Sequence, residues 1–335
     1  MPVGRPSRQQ VFESLDAAKN DLVVIGGLPE PTVFQDVWAD IWVEETHNST
    51  AIEGNTLRLK QIQLLLEEGV VAAGGGHELK EWLEAKAYGE AARWAYSEAF
   101  LGQYRGDASI TETEIRHLHE ITVDSVWKFF PPDGLRSDER PGGYRTGDID
   151  PLRKDFAPPP PSVVASLVGD WVNEANEEPP EDCHLTEHLA GLHAKFERIH
   201  PFPDGNGRVG RLILSLLLVR RGYPPAIIYK DERTRYLRCL HKADDGDRGP
   251  LGELLARSVR EGIYKFLIPN LAGPLSVVPL AGLVDDELSR SALLAAAQRG
   301  RLKAVKARGG RWYSTRQWVD EYKASRHRRR TAVAV

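Results

Sequence analysis

His200-Pro201-Phe202-Pro203-Asp204-Gly205-Asn206-Gly207-Arg208-Val209-Gly210-Arg211 is a polar, glycine-punctuated turn set between two apolar runs. Upstream, Leu189, Leu192, Phe196 and Ile199 fall at three- and four-residue steps, which predicts a helix over 185–199. Pro201 offers no amide and stops that helix, so His200 stands at its end. Downstream, Leu212, Ile213, Leu216, Leu217 and Val219 predict a second helix over 208–221, beginning beside the Gly-Asn-Gly segment. A helix start leaves amides unpaired, and glycines let an anion approach the backbone closely. A base, a carboxylate suited to a hard cation, an anion-binding turn and two guanidiniums therefore lie within twelve residues.

This combination points to phosphate handling. An imidazole accepts a proton near neutral pH, which suits His200 as a base toward an incoming hydroxyl. Asp204 suits Mg²⁺, which needs few protein ligands when nucleotide phosphates and waters supply the rest. Arg208 and Arg211, one helical turn apart, suit the β- and γ-phosphate oxygens in fork geometry. The plainer alternative has His200 and Asp204 capping helices and the arginines solvated; it serves each residue singly but not all of them together.

The stretch resembles the motif of Fic-domain proteins, His-x-Phe-x-Asp/Glu-Gly-Asn-Gly-Arg-x-x-Arg, at every specified position. The resemblance implies a mainly α fold, a Fic-type helical domain with a small flap hairpin, and transfer of AMP from ATP to a protein hydroxyl. It also implies His200 as general base, Asp204 as the Mg²⁺ ligand, Gly205, Asn206 and Gly207 as the phosphate-binding turn, and Arg208 and Arg211 as phosphate contacts. Relatives that phosphorylate carry a lysine where Gly207 stands, so Gly207 favours nucleotidyl transfer.

Far upstream, Phe34, Trp38, Ile41 and Trp42 predict an amphipathic helix running into Ser49-Thr50-Ala51-Ile52-Glu53-Gly54-Asn55, with Gly54 and Asn55 ending it. By itself Glu53 reads as an exposed carboxylate at a helix end, a mildly unfavourable place for it. Ser49-x-x-x-Glu53-Gly54 is, however, similar to the inhibitory-helix motif of Fic proteins. That similarity implies that Ser49 and Glu53 act as a brake, Glu53 pairing with Arg211 and excluding the ATP γ-phosphate.

Further helices are expected over 56–69, capped by Thr56 and ended by Gly69, over 78–100 with Trp82, Ala85, Tyr88 and Ala92 on one side, and over 111–126 with acids in its first turn. His117 and His119 lack metal spacing and read as structural. Gly142-Gly143-Tyr144-Arg145-Thr146 and Phe156 to Pro161 read as a loop or short hairpin, with a proline-rich linker as the alternative. The resemblance implies a flap here that pairs with the substrate backbone by strand addition. After the motif it implies Tyr236 and Asp244 against the adenine, ahead of a helix over 251–266.

Pro269 to Pro279 reads as a linker. Beyond it, two short helices over 280–288 and 289–298, a hairpin around Gly309-Gly310 and a last helix near Trp318 resemble winged helix-turn-helix domains of the excisionase type. Such a domain would set the helix near Ser289 in a DNA major groove; a basic protein-docking or dimerisation domain is the equal alternative. The expected organisation is 1–104 with the inhibitory helix, 105–270 as Fic core, 277–325 as winged helix and 326–335 as a disordered basic tail.

Composition fits this reading: 335 residues, 41% hydrophobic and 27% charged, are ordinary for a globular protein. The net charge of −4 is uneven, because from Asp285 onward 13 Lys and Arg face 5 Asp and Glu, giving +8 against −12 elsewhere. The first residues carry no apolar run resembling a signal peptide, no stretch approaches the roughly 18 apolar residues of a membrane helix, and Cys183 and Cys239 lack redox or metal spacing, so a reducing cytoplasm is expected. The expected partners are a protein with a Ser, Thr or Tyr hydroxyl, the chain itself among them, duplex DNA through 277–325 and a second copy in a homodimer, with no membrane. A DNA-binding regulator with the Fic core as sensor, and removal of AMP from modified protein, are the competing functions.

Overall fold

The helix pair around the motif is present in the computed structural model, which describes residues 6–71, 76–149, 157–273, 276–306 and 310–331. In chain order the helices are α1 (Arg8–Val24), α2 (Gln35–Ile52), α3 (Leu59–Glu68), α4 (Leu79–Arg105), α5 (Glu112–Trp127), α6 (Pro161–Ala175), α7 (Leu185–Ile199) and α8 (Asn206–Arg220). They continue as α9 (Arg233–Asp244), α10 (Gly249–Gly262), α11 (Ile268–Leu271), α12 (Arg290–Gln298) and α13 (Arg316–Thr331). A π-helical turn, Ile263–Leu267, joins α10 to α11. Two compact units result: Glu30–Val259 with the segment up to Glu13, and Ser14–Pro29 with Arg260 onward. The division thus falls at Val259, short of the expected 270, and α4 packs on α5 across the expected boundary at 104.

In the first unit α4 is the central rod, touching α2, α3, α5 and α8. Its buried face alternates large and small, Trp82, Ala85, Tyr88, Ala92, Tyr96 and Ala99, and the alanines let neighbouring helices come close. The helix runs to Arg105, past the expected Phe100, until Gly106 in left-handed geometry (φ +72°) ends it. Helix α5 carries the expected acids in its first turn and is capped as well: Thr111 Oγ1 accepts from the Glu114 amide, and the Glu114 carboxylate accepts from the Thr111 amide. Thr56, by contrast, caps nothing. Its amide and hydroxyl both donate to Glu81 Oε1 at 2.7 Å, so α3 starts at Leu59.

The proline run expected as a loop or short hairpin, or else a linker, opens α6, with Pro160 as N-cap and Pro161 at the first position, where the missing amide costs nothing. No β-ladder forms among residues 142–149 and 157–160; the rest of the expected flap, including Phe156, lies outside the described residues. In the second unit β1 (Val278–Pro279), β2 (Val305–Lys306) and β3 (Trp312–Ser314) form an antiparallel sheet in the order β1-β3-β2, with Val278 opposite Ser314 and Lys306 opposite Trp312. Ser289 caps α12 through the Ala292 amide. The expected helix over 280–288 shrinks to a 3₁₀ turn, Leu280–Leu283, because Asp285 takes the amides of Glu287 and Leu288. Gly309, at the tip of the expected hairpin, lies outside the described residues, as do 332–335. The stretch expected as a disordered tail from 326 is helical to Thr331.

No helix among the described residues is long and apolar enough to cross a membrane.

One polar group lies where α2, α4 and α8 meet. Glu45 is buried, and its carboxyl accepts from Tyr88 at 3.3 Å, Ser215 at 3.3 Å and Tyr96. Burial pushes it up to about 7, against the opposing effect of those hydroxyls and of Arg211. Its pKa in the fold thus exceeds that of the unfolded chain, so its contribution to stability is full below about pH 4.5 and lost as the pH rises to about 7. Glu45→Gln cannot ionise. In urea titrations the variant should gain on the parent between these limits, by on the order of 3 kcal/mol. A difference constant from pH 4.5 to 8 would contradict this role.

A candidate active site at the α7–α8 turn

His200 ends α7 in left-handed geometry, φ +49°, and is the one non-glycine among the described residues with positive φ. Such a backbone is strained for an L-residue and persists where its surroundings hold it. Arg145 does so. Buried at 3% exposure, it donates from Nε to the His200 carbonyl at 2.8 Å, and from Nη1 and Nη2 to the carbonyls of Gly147, Ile199 and Pro159. Its own amide donates to Pro201 O at 2.9 Å. The Tyr-Arg segment expected to face a substrate therefore turns its arginine inward. Arg145→Ala leaves several carbonyls without donors at about 1–3 kcal/mol each, so we expect a loss of at least about 3 kcal/mol in chemical denaturation. A loss under about 1 kcal/mol would refute the clamp.

The His200 ring is suited to accept a proton. Nδ1 lies 3.2 Å from the Glu197 carbonyl, which can only accept, so this contact puts the hydrogen on Nδ1 and leaves Nε2 bare. Burial lowers the pKa of the ring, against the Glu197 carbonyl and with the help of the Arg145 charge, so it is neutral at pH 7.

The turn itself is fastened from two sides. Asn206 spends its whole side-chain amide on Phe202, receiving from Phe202 N at 2.9 Å and donating to Phe202 O at 2.8 Å. His119 stacks on the Phe202 ring, 3.8 Å between centroids, and reaches Asp204 O through Nε2 at 3.0 Å. Its Nδ1 accepts from the Gly142 amide, and burial lowers its pKa to about 3, so it remains a neutral strut. Spacing marked His119 only as structural; its contact is with the site.

Gly205 (φ +84°) caps α8, which starts at Asn206, two residues before the expected Arg208. The first helical bond runs from Val209 N to Gly205 O, so the amides of Asn206, Gly207 and Arg208 stand outside the ladder. These amides, and not the Asn206 side chain, are what an anion would meet. Arg208 is buried, donates from Nη2 to Asp204 Oδ2 at 3.1 Å, and leaves Nη1 buried without a hydrogen-bond partner. That nitrogen lies 3.9 Å from Glu84 Oε1, and beside the open amides Arg208 can still donate to an oxyanion.

Arg211 is engaged by α2. Its Nε donates to Ser49 Oγ at 2.7 Å, and its Nη2 to Ser49 O at 3.0 Å and Glu53 Oε1 at 2.7 Å. Burial alone would raise the Glu53 carboxyl, but the charge and hydrogen bond of Arg211 outweigh it and hold the group below its usual range. Gly207 makes room: a Cβ there would stand 2.5 Å from Glu53 Oε1. His200, Asp204, Gly205, Asn206, Gly207, Arg208, Arg211, Ser49 and Glu53 are thus gathered into one site from segments some 150 residues apart.

Tyr236 is placed otherwise than expected. It lies on α9, a helix the sequence reading passed over, is 1% exposed, and hydrogen-bonds His193 Nε2 at 2.7 Å. Neither face of its ring is open to an adenine. Asp244 ends α9 half-buried, its carbonyl reached by Arg198 Nη1 at 3.4 Å. Beside Arg211 lies a second acid missed in the sequence, Glu197, its side chain 18% exposed and pushed up to about 7 by burial against the pull of Arg211.

Residues 109–218 match the Fic/DOC family. The chain is 30% identical over 241 residues to protein adenylyltransferase fic-1 of Caenorhabditis briggsae, covering 72% of this chain and 44% of that protein. It is 30% identical over 256 residues to protein adenylyltransferase Fic of Drosophila persimilis, covering 76% and 46%. The chain therefore spans less than half the length of these curated relatives. Among solved structures it is similar to Fic-1 (residues 134–508) of C. elegans, with TM-score 0.63, 25% identity and coverage of 78% of this chain and 72% of that one. A Fic domain containing signaling protein of Bacteroides thetaiotaomicron gives TM-score 0.61 at 25% identity, covering 75% and 95%. Residues 109–218 are a Fic domain.

Proposed function

We propose that the chain transfers AMP from ATP to a hydroxyl of a protein side chain and is restrained by Glu53. The observation that carries this reading is the buried Arg211, engaged by Ser49 and Glu53 of α2 in a site that also holds a neutral imidazole and the buried Arg208 guanidinium. The names of the relatives, protein adenylyltransferases, support the same chemistry.

The target hydroxyl gives its proton to His200 Nε2 as its oxygen attacks the α-phosphorus. A new oxygen–phosphorus bond forms, the bond to the bridging oxygen breaks, and pyrophosphate leaves with that electron pair. The first-turn amides of α8 and Arg208 meet the negative charge on the phosphates.

Asp204 fits a Mg²⁺ that arrives with nucleotide. Its carboxylate is 44% exposed, and no cluster of three or more ligating side chains exists among the described residues, so the protein offers one oxygen donor and no cage. Bound there, the ion would draw charge from the phosphates. Mass spectrometry after incubation with ATP and a cell extract tests the proposal: adenosine monophosphate on Ser, Thr or Tyr is expected, and a bare phosphate in its place would refute it.

The capped α12 and the β2–β3 hairpin favour a second reading for the C-terminal unit, duplex DNA binding through 277–325. Affinity for duplex DNA that falls steeply with salt is expected on that reading; its absence at low salt would remove it.

A further inference from the structure

The second unit contains a cavity of about 580 Å³, within the size range of small-molecule sites. Its walls come from α1, the end of α10 and its π-helical turn, the 3₁₀ turn and its following residue, α12 and Arg311 beside β3. Four cations line it, Arg260, Lys265, Arg290 and Arg311, against one acid, Glu261. A further acid, Asp21, pairs with Arg311 at 2.6 Å. Among the described residues lining it the cations outnumber the acids, which gives the cavity a positive field toward an anion.

Two of these guanidiniums are held in place. Arg311 Nη2 meets Asp21 Oδ2 and the Tyr264 hydroxyl, and that hydroxyl also reaches Asp21 at 2.7 Å. Those contacts use only Nη2, and an arginine has donors on all three nitrogens. Arg260 Nη1 donates to Ser14 Oγ at 2.9 Å. Arg290 is the first residue of α12, so its guanidinium stands beside the positive end of a helix that has no acid in its first turn. The remaining wall is apolar: Ala17, Ala281, the Tyr264 ring and Val284, the last 40% exposed.

We propose that this cavity is a binding site for a small amphipathic molecule with an oxyanion head, a carboxylate, phosphate or sulfonate. The planar forks of Arg290 and Arg311 suit such a head, and the alanines, Val284 and Tyr264 take an apolar body. The inference does not depend on the chemistry proposed at His200.

The full chain is titrated with anilinonaphthalene sulfonate and, separately, with uncharged phenylnaphthylamine, following fluorescence. Saturable one-site binding of the sulfonate is expected, with the uncharged probe at least about tenfold weaker. Arg290→Glu should weaken the sulfonate at least about tenfold, the loss of one charge-assisted contact. It should leave the unit folded, since an acid suits the first turn of α12. Val284→Trp, which fills the cavity from a partly exposed position, should weaken both probes. Displacement by octanoate assigns a carboxylate head and displacement by inorganic phosphate a phosphate head; either supports the site. Equal affinity of the two probes, or an unchanged sulfonate affinity in both variants, would overturn it.

Discussion

Glu53→Gly raises the initial rate of AMP incorporation by roughly tenfold, and by no more than about 150-fold. The gain comes from competition for one guanidinium. Arg211 is 5% exposed, and its Nη2 is committed to Glu53 at 2.7 Å, so a γ-phosphate cannot use that nitrogen while the carboxylate stays. A charge-assisted hydrogen bond contributes about 1.5–3 kcal/mol. The Glu53 side chain is 44% exposed and keeps part of its hydration, which puts the pair near the lower end. Removing the carboxylate frees Arg211 for the triphosphate and lets the α-phosphate turn toward the hydroxyl. The nucleotide-free variant should unfold slightly earlier than the parent and recover with ATP, which supplies the missing anion. Adding Arg211→Ala should cancel the gain. Equal initial rates in parent and Glu53→Gly would mean that Glu53 is not the brake.

His200→Ala, made in the Glu53→Gly chain so that the starting rate is high, lowers the rate by about 10²- to 10⁴-fold. The ring gives up no ion pair, and its hydrogen bond runs from Nδ1 to the Glu197 carbonyl. The positive φ of 49° is held by Arg145 and the chain on either side, so the backbone should keep its path, although alanine adopts it with some strain. ATP affinity, measured by calorimetry, should change by less than about threefold, because the phosphates meet amides and arginines and not the imidazole. A variant that keeps full activity, or one that loses ATP affinity in proportion to rate, would remove His200 from the role of base.

The parts of the site legible in the sequence are those whose function needs a local pattern. The turn between α7 and α8 announces itself because a base, a carboxylate, glycines and arginines must follow one another closely to meet one phosphate chain. The Ser49-to-Glu53 segment could be tied to Arg211 only through its likeness to a family motif, since nothing local says where the last turn of α2 will land. Arg145 misled because an arginine after an aromatic residue in a loop normally stays hydrated; here five carbonyl contacts, one of them through its backbone amide, repay its burial. Tyr236 misled for a related reason. An aromatic residue near a nucleotide motif suggests stacking, but on α9 its hydroxyl finds His193 and its ring is closed off. The prolines before α6 were ambiguous because a proline breaks a helix from within yet suits its first position.

The most direct test of AMP transfer under the control of Glu53 follows label from ATP carrying it on either the α- or the γ-phosphate. It compares the parent chain, Glu53→Gly, and Glu53→Gly with His200→Ala, each with a protein extract. Label from the α-phosphate should accumulate on protein fastest with Glu53→Gly, slowly with the parent and almost not at all once His200 is gone, while γ-label stays off protein throughout. Protein labelled from the γ-phosphate and not the α, or α-label that accumulates equally without His200, would contradict it.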